Sequence, residues 1–267
     1  MKRRIGNQYH RPLRGRSGAE NVPSALPLVH ATSVWCANEI VNQGKLVTNF
    51  CREFSKPLIY FFVLRPAYLR KGGDTPNHRV SAFPAAFIFS SQSVETPYHV
   101  YPFDTGAAVS GSFFDQANPD IPLDDYALDS NHAGVSNFIS WAFGNLTDYY
   151  DGRLRSALVD EIKVHDFVGG SYLDIARMGV EGSNTHDKRA SSLELTTDHN
   201  VDLPNYLKFV ILPKQFVEEN DVFLARLQSF GAEIEFYDWQ PNRAPNEFQK
   251  DLMEIARSWY IKQGLDL

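Results

Sequence analysis

Pro27-Leu28-Val29-His30-Ala31-Thr32-Ser33 reads as a short apolar strand that ends on His-x-Thr and runs into a helix. Ser33 is placed to cap the first turn of that helix, Trp35, Ala37, Ile40 and Val41 form its apolar stripe, and Gly44 stands where a left-handed C-cap residue belongs. Residues two apart on a strand project from one face, so His30 and Thr32 can hold one ligand together. A histidine hydrogen-bonded inside a core is the competing reading of His30.

Further strands follow this first one. Leu58–Leu64 is a continuous run of β-branched and aromatic residues between Pro57 and Pro66, the pattern of a central strand covered on both faces. Ala85–Phe89, Tyr98–Phe103, Lys188–Thr197, Tyr206–Pro213 and Glu233–Tyr237 also read as strands, with the Lys188–Thr197 stretch alternating. Asp104-Thr105-Gly106 reads as a turn. Helical patterning covers Val135–Phe143, Arg153–Val164, Tyr172–Met178, Val217–Gln228 and Asn246–Gln263. Strands and helices mix without strict βαβ alternation, so the fold class is α+β. Residues 1–24 read as a basic flexible N-terminal arm, and 25–267 as a single domain with an aromatic- and proline-rich insertion at about 70–170.

Charge is unevenly placed. The net charge is −6, yet residues 1–16 hold six basic side chains and no acid, which leaves 20 basic against 32 acidic in the rest. An acidic body disfavours sequence-independent duplex binding unless a local patch or the arm meets the phosphates. Cys36 and Cys51 are too few for a disulfide framework or a tetrahedral zinc site. The longest strongly apolar run, Leu58–Leu64, is too short to span a bilayer, and no apolar segment follows the N-terminal charges, so the sequence points to a cytoplasmic protein without a membrane partner.

The common catalytic motifs are missing: no G-x-G-x-x-G, P-loop, G-x-S-x-G, H-E-x-x-H or C-x-x-C occurs. His165-Asp166 and His186-Asp187 suggest metal sites only weakly, and no metal is expected. The strands do carry polar residues. His30 and Thr32 lie on the first, Tyr60 on the second, and Glu194 on a third, where it shares a face with Ser192 and Thr196. An edge strand with that polar face in water is the plain alternative.

The order His-x-Thr, helix, aromatic strand with Tyr, long insertion, then a strand with a late Glu resembles the ADP-ribosyltransferase fold. The likeness is to its His–Tyr–Glu branch and to the DarT-type bacterial toxins that modify nucleic acid. It covers His30–Leu46, Leu58–Tyr68 and Arg189–Pro213, and implies a split β-sheet core. It implies NAD as co-substrate, with His30 and Thr32 on the ribose, Tyr60 (or Tyr68) stacked on nicotinamide, and Glu194 catalytic. Arg65 or Arg189 would meet the pyrophosphate with a bidentate fork. Arginine-modifying members carry Glu or Gln two residues before the catalytic Glu, whereas this chain has Ser192. The resemblance therefore points to a nucleic-acid acceptor, RNA or single-stranded DNA, and to a toxin or phage-defence effector with an antitoxin partner. A non-catalytic nucleotide- or protein-binding module, an NAD glycohydrolase and a metal-dependent hydrolase are the alternatives.

Overall fold

A computed structural model describes residues 12–19, 21–70, 72–113, 115–180 and 187–267. The first eleven residues of the expected arm, and His186 of the His186-Asp187 pair, lie outside them. In chain order the strands are β1 (Leu28–Ser33), β2 (Lys45–Leu46), β3 (Asn49–Cys51), β4 (Lys56–Val63), β5 (Pro84–Phe89), β6 (His99–Tyr101), β7 (Glu194–Thr197), β8 (Val201–Asp202), β9 (Leu207–Pro213) and β10 (Glu233–Tyr237). The helices are α1 (Val34–Gln43), α2 (Thr105–Ser110), α3 (His132–Ala142), α4 (Leu146–Asp151), α5 (Leu158–Glu161), α6 (Phe167–Ala176), α7 (Leu203–Tyr206), α8 (Lys214–Glu218), α9 (Asp221–Gln228) and α10 (Gln249–Lys262). The class is α+β.

Two compact units form where the sequence suggested one domain with an insertion. The first, here the His30 unit, comprises Ala25–Glu95 and Thr197–Leu265. The second, the Glu194 unit, comprises the described residues up to Ser24, Thr96–Thr196 and Asp266–Leu267.

In the His30 unit the strand order is β10-β9-β5-β1-β4, with β3 pairing β4. Only the β9–β10 pair among these is parallel. β5 reads Pro-Ala-Ala-Phe-Ile-Phe and is buried at every position, so it is the strand covered on both faces. The sequence had suggested that role for Leu58–Leu64. There Leu58, Ile59, Phe61 and Val63 are buried while Tyr60 and Phe62 stay half-buried, because an unbroken apolar run does not say how completely each face is covered. Trp259 of α10 stacks on Phe209 of β9, centroids 4.9 Å apart and 7° from parallel. That places α10 over the sheet face carrying Phe209 and Ile211.

In the Glu194 unit β6 and β7 pair antiparallel, with His99 opposite Thr196 and Tyr101 opposite Glu194. Their surroundings are helical and aromatic. Phe138, Trp141 and Tyr172 form one ring cluster, with centroids 5.1 to 6.1 Å apart. The second half of the expected mobile arm is packed here. Leu13 is buried, the Gly15 amide donates to Asp129 at 2.8 Å, and the Pro23 carbonyl accepts from Ser136 Oγ at 2.7 Å. Arg16 pairs with Asp166 and lies 5.1 Å over the Trp141 ring. A Gly-, Pro- and Arg-rich composition suggested mobility, but these few anchors outweigh it.

Three element readings change for identifiable local reasons. Arg153–Val164 was expected as a helix, yet only the turn of α5 forms; the helix lies earlier, as α4, capped by the Asn145 side chain and ended by Gly152 at φ 78°. Val217–Gln228 is broken into α8 and α9 because the Asn220 side chain caps the Phe223 amide. Lys188–Ser191 is a 3₁₀ turn started by Asp187, so the strand keeps only Glu194–Thr197, all buried and without alternation.

Gly18 reports on the docked arm, since a Cβ there would collide with the Ser140 carbonyl of α3. Gly18→Ala is expected to destabilise the protein by about 1–3 kcal/mol in urea unfolding; no change would mean that residues 12–19 are not docked.

Candidate functional site

The His30 unit sets the His-x-Thr end of β1 firmly. Ser33 accepts from the Cys36 amide as N-cap of α1, and the Val34 amide donates to the Phe83 carbonyl at 2.8 Å. Gly44 closes α1 at φ 70°. β1 pairs with β5 along its length, His30 opposite Phe87 and Thr32 opposite Ala85. His30 and Thr32 therefore share one face, and both keep some exposure.

The chemistry of His30 follows from one contact. Its Nδ1 lies 3.0 Å from the Tyr60 carbonyl. A carbonyl only accepts, so Nδ1 carries the proton and donates. Burial pushes the His30 pKa below its usual 6.5, outweighing the opposing effect of that hydrogen bond. The ring is neutral at pH 7, and Nε2 offers a lone pair to a hydroxyl.

Tyr60 does not join them. Leu28 opposes Val63 in the β1–β4 register, so Val63 and Phe61 lie on the His30 face and Tyr60 projects from the other. There its hydroxyl donates to Cys51 Sγ at 2.9 Å. The ring beside His30 is Phe61, edge-on at 6.0 Å. Tyr68, the other candidate, is partly exposed; burial pushes its pKa up, with Arg70 opposing and Cys36 adding to the shift. Arg65 is fully buried rather than a surface charge. It follows Leu64, a non-glycine residue held at φ 59°, whose carbonyl accepts from Tyr260 Oη at 2.8 Å.

In the Glu194 unit the carboxylate is 2% exposed, which excludes a polar face in water. Its Oε2 accepts from the Thr105 amide at 3.1 Å and its Oε1 from Thr105 Oγ1 at 2.6 Å. His99 Nε2 stands 3.9 Å from Oε1. Thr105 is the first residue of α2, and Asp104 caps that helix through the Ala107 amide. A buried charge is tolerable when donors meet it, and here two come from one residue. Thr196, two along on the same face, has a buried Oγ1 with no hydrogen-bond partner among the described residues. Ser192 is buried and donates to the Lys188 carbonyl at 2.7 Å.

Arg189 is spoken for. Its Nε and Nη2 grip the Asp187 carboxylate, Nη2 at 2.7 Å, and Asp104 lies at 4.0 Å. Burial raises the Asp104 pKa, with the Ala107 amide and Arg189 opposing. Asp166 caps α6 and pairs with Arg16, while Asp187 starts its 3₁₀ turn and holds Arg189. Among the described residues no three His, Cys, Asp or Glu side chains group to hold one.

His99, Tyr101 and Thr105 were not singled out from the sequence. The alternation in Tyr98–Phe103 does place His99 and Tyr101 on one face, and Asp104-Thr105 is a capping pair, but nothing local says that Glu194 meets them. Tyr101 in turn donates to Asp124 at 3.3 Å.

No family model and no curated protein matches the sequence. Among solved structures the chain is similar to Thermus sp. 2.9 DarT in complex with NAD+, at 11% identity and TM-score 0.42, over 81% of this chain and 98% of that one. The same protein in complex with carba-NAD+ aligns at 10% identity and TM-score 0.37, over 80% and 97%.

Glu194→Ala strands the Thr105 amide and hydroxyl and is expected to cost about 1–3 kcal/mol in urea unfolding, whereas Glu194→Gln can still accept from one and reach the other, and should cost less than about 1 kcal/mol. Equal costs would mean that the charge, not the hydrogen bonding, holds α2. Because the folded pKa of His30 lies below its usual 6.5, the unfolded chain binds more protons in acid. Stability should be full above pH 6.5 and fall below it, and His30→Gln should abolish that part of the fall. A pH profile unchanged by the substitution would contradict the neutral imidazole.

Proposed function

We propose that this chain is an NAD-dependent mono-ADP-ribosyltransferase with a nucleic-acid acceptor. The observation that carries the reading is the Glu194 carboxylate, buried on a strand and fixed by both donors of Thr105. Cleavage of the bond between nicotinamide and ribose C1′ sends the electron pair to the pyridine nitrogen and leaves an electron-poor sugar. A negative charge fixed beforehand needs no reorganisation to stabilise that cation, and a carboxylate is the group type that can also orient a ribose hydroxyl or take the proton of the acceptor. In this reading the neutral Nε2 of His30 accepts from a ribose hydroxyl and Thr32 adds a second polar contact on the same strand face.

Other roles are reassigned. Tyr60 faces away from His30, so stacking on nicotinamide passes to Tyr68, the other tyrosine of that stretch. Arg189 would have to leave Asp187 to meet a pyrophosphate, and Arg65, fully buried, would have to be uncovered to do so. For the acceptor, Ser192 supports the reading against arginine: its hydroxyl is buried and donates to the Lys188 carbonyl. The exposed rings of Trp35 and Phe50 in the His30 unit suit stacking against unpaired bases. The toxin reading further implies a protein that neutralises the enzyme in the cytoplasm.

One observation favours a second reading. The contacts that fix Glu194 also satisfy the first amide of α2, so the residue can serve as a structural brace in a non-catalytic module.

The test is incubation of wild type and Glu194→Gln with NAD labelled in the adenylate phosphate, alongside single-stranded DNA, duplex DNA, RNA and protein extract. Wild type should label a nucleic acid, and the variant should do so about 100-fold more slowly or worse while remaining folded. Nicotinamide release without polymer label would identify water as the acceptor. Equal activity in the variant, or none in wild type, would favour the brace.

A further inference from the structure

β10 is an edge strand whose outer side lacks a partner among the described residues: β9 pairs with all of its five residues on one side. The outward amides belong to Ile234 and Phe236, by alternation from the Phe236 N–H, which donates to its neighbour's Glu235 Oε1 at 3.3 Å. That is a long bond to an exposed side chain, easily exchanged for a better one. On the side facing α10, Glu233 accepts from Trp259 Nε1 at 3.1 Å, so Glu233, Glu235 and Tyr237 line the crease between strand and helix.

Two cavities run along this crease, of about 300 and 440 Å³, and share Glu254 and Ile255. Together they follow β10 from Glu233 to Tyr237 and continue past Asp238. Phe209, Trp259 and Ile255 supply apolar floor, while the walls are acidic: Glu235, Asp238, Asp251 and Glu254 against the bases Arg243 and Lys262. Burial and the neighbouring Glu254 raise the pKa of Asp251, consistent with crowded negative charge, although Arg243 and Lys250 oppose it.

We infer that this trough docks an extended basic peptide segment of a partner protein, added to β10 as a further strand. The five residues of β10 offer an edge about 17 Å long. Main-chain hydrogen bonds to Ile234 and Phe236 would give register, and lysine or arginine at alternate positions would meet Glu235 and Glu254. The charge rejects a second copy of this chain. Antiparallel pairing of two β10 edges sets Glu235 against Glu235, or Glu233 against Glu235, and like charges directly opposite are destabilising. Glutamates on an edge strand also deter unselective pairing, so the same residues select for a basic strand.

The test uses the full chain and a fluorescent hexapeptide that alternates lysine and valine, read by anisotropy. Three comparisons accompany it: a glutamate–valine peptide, the lysine–valine peptide methylated on alternate backbone nitrogens, and the Glu235→Lys protein, whose exposed position leaves folding intact. Saturable binding that weakens at least about tenfold in all three supports strand addition. Binding indifferent to methylation would reveal a charge-only contact, binding indifferent to Glu235→Lys would put the peptide elsewhere, and no binding of the parent peptide would remove the proposal. Sedimentation of the protein alone completes the set: a dimer lost in Glu235→Lys would give the edge to a second copy and overturn the assignment.

Discussion

A carboxylate cannot be buried unless donors meet it, and in the Glu194 unit that requirement falls on Glu194. Thr105 answers it with its amide and its hydroxyl, and to do so α2 must start where it does. The Asp104 cap, the backbone bond from Asp104 to the Arg189 carbonyl and the grip of Arg189 on Asp187 all converge on that start. The pairing of β6 with β7 then brings His99 to the same carboxylate. One charge thus ties together segments that stand 89 positions apart in the chain. Such a network is stable when complete and costly when any member is lost.

The His30 unit works by register instead. With β1 paired to β5 over six residues, the faces of His30 and Thr32 cannot slip without turning every apolar neighbour outward. The same alternation removes Tyr60 from that face and gives Phe61 to it. The contact between His30 Nδ1 and the Tyr60 carbonyl then decides the tautomer, so Tyr60 shapes the site through its backbone rather than its ring.

How much of this could be read in advance follows physical lines. β1, its capped helix and the Gly44 stop were legible because caps and periodicity are local. β5, β9, β10 and α10 were legible for the same reason. The break at Asn220, the early helix before Gly152 and the 3₁₀ turn at Lys188 were missed because side-chain capping competed with an apolar pattern that ran on. The packing of residues 12–19 was not legible because composition reports flexibility but not the anchors made by Leu13, Arg16 and Gly18. For the site, His30, Thr32 and Glu194 stood out by type and strand face. Tyr60 faces away from His30 by strand parity, a property of pairing, and Arg189 holds a partner only two residues away. His99 and Thr105 were invisible because the link to Glu194 is long-range.

In the proposed function His30 contacts NAD and Glu194 carries the chemistry. Calorimetric titration of NAD into Glu194→Gln, which should bind without turnover, and into the same variant carrying His30→Ala, tests that division directly. Saturable binding in the first, weakened about tenfold by loss of the Nε2 hydrogen bond in the second, is the predicted result. Identical binding in the two proteins, or none in the first, would return His30 to the core and contradict the account.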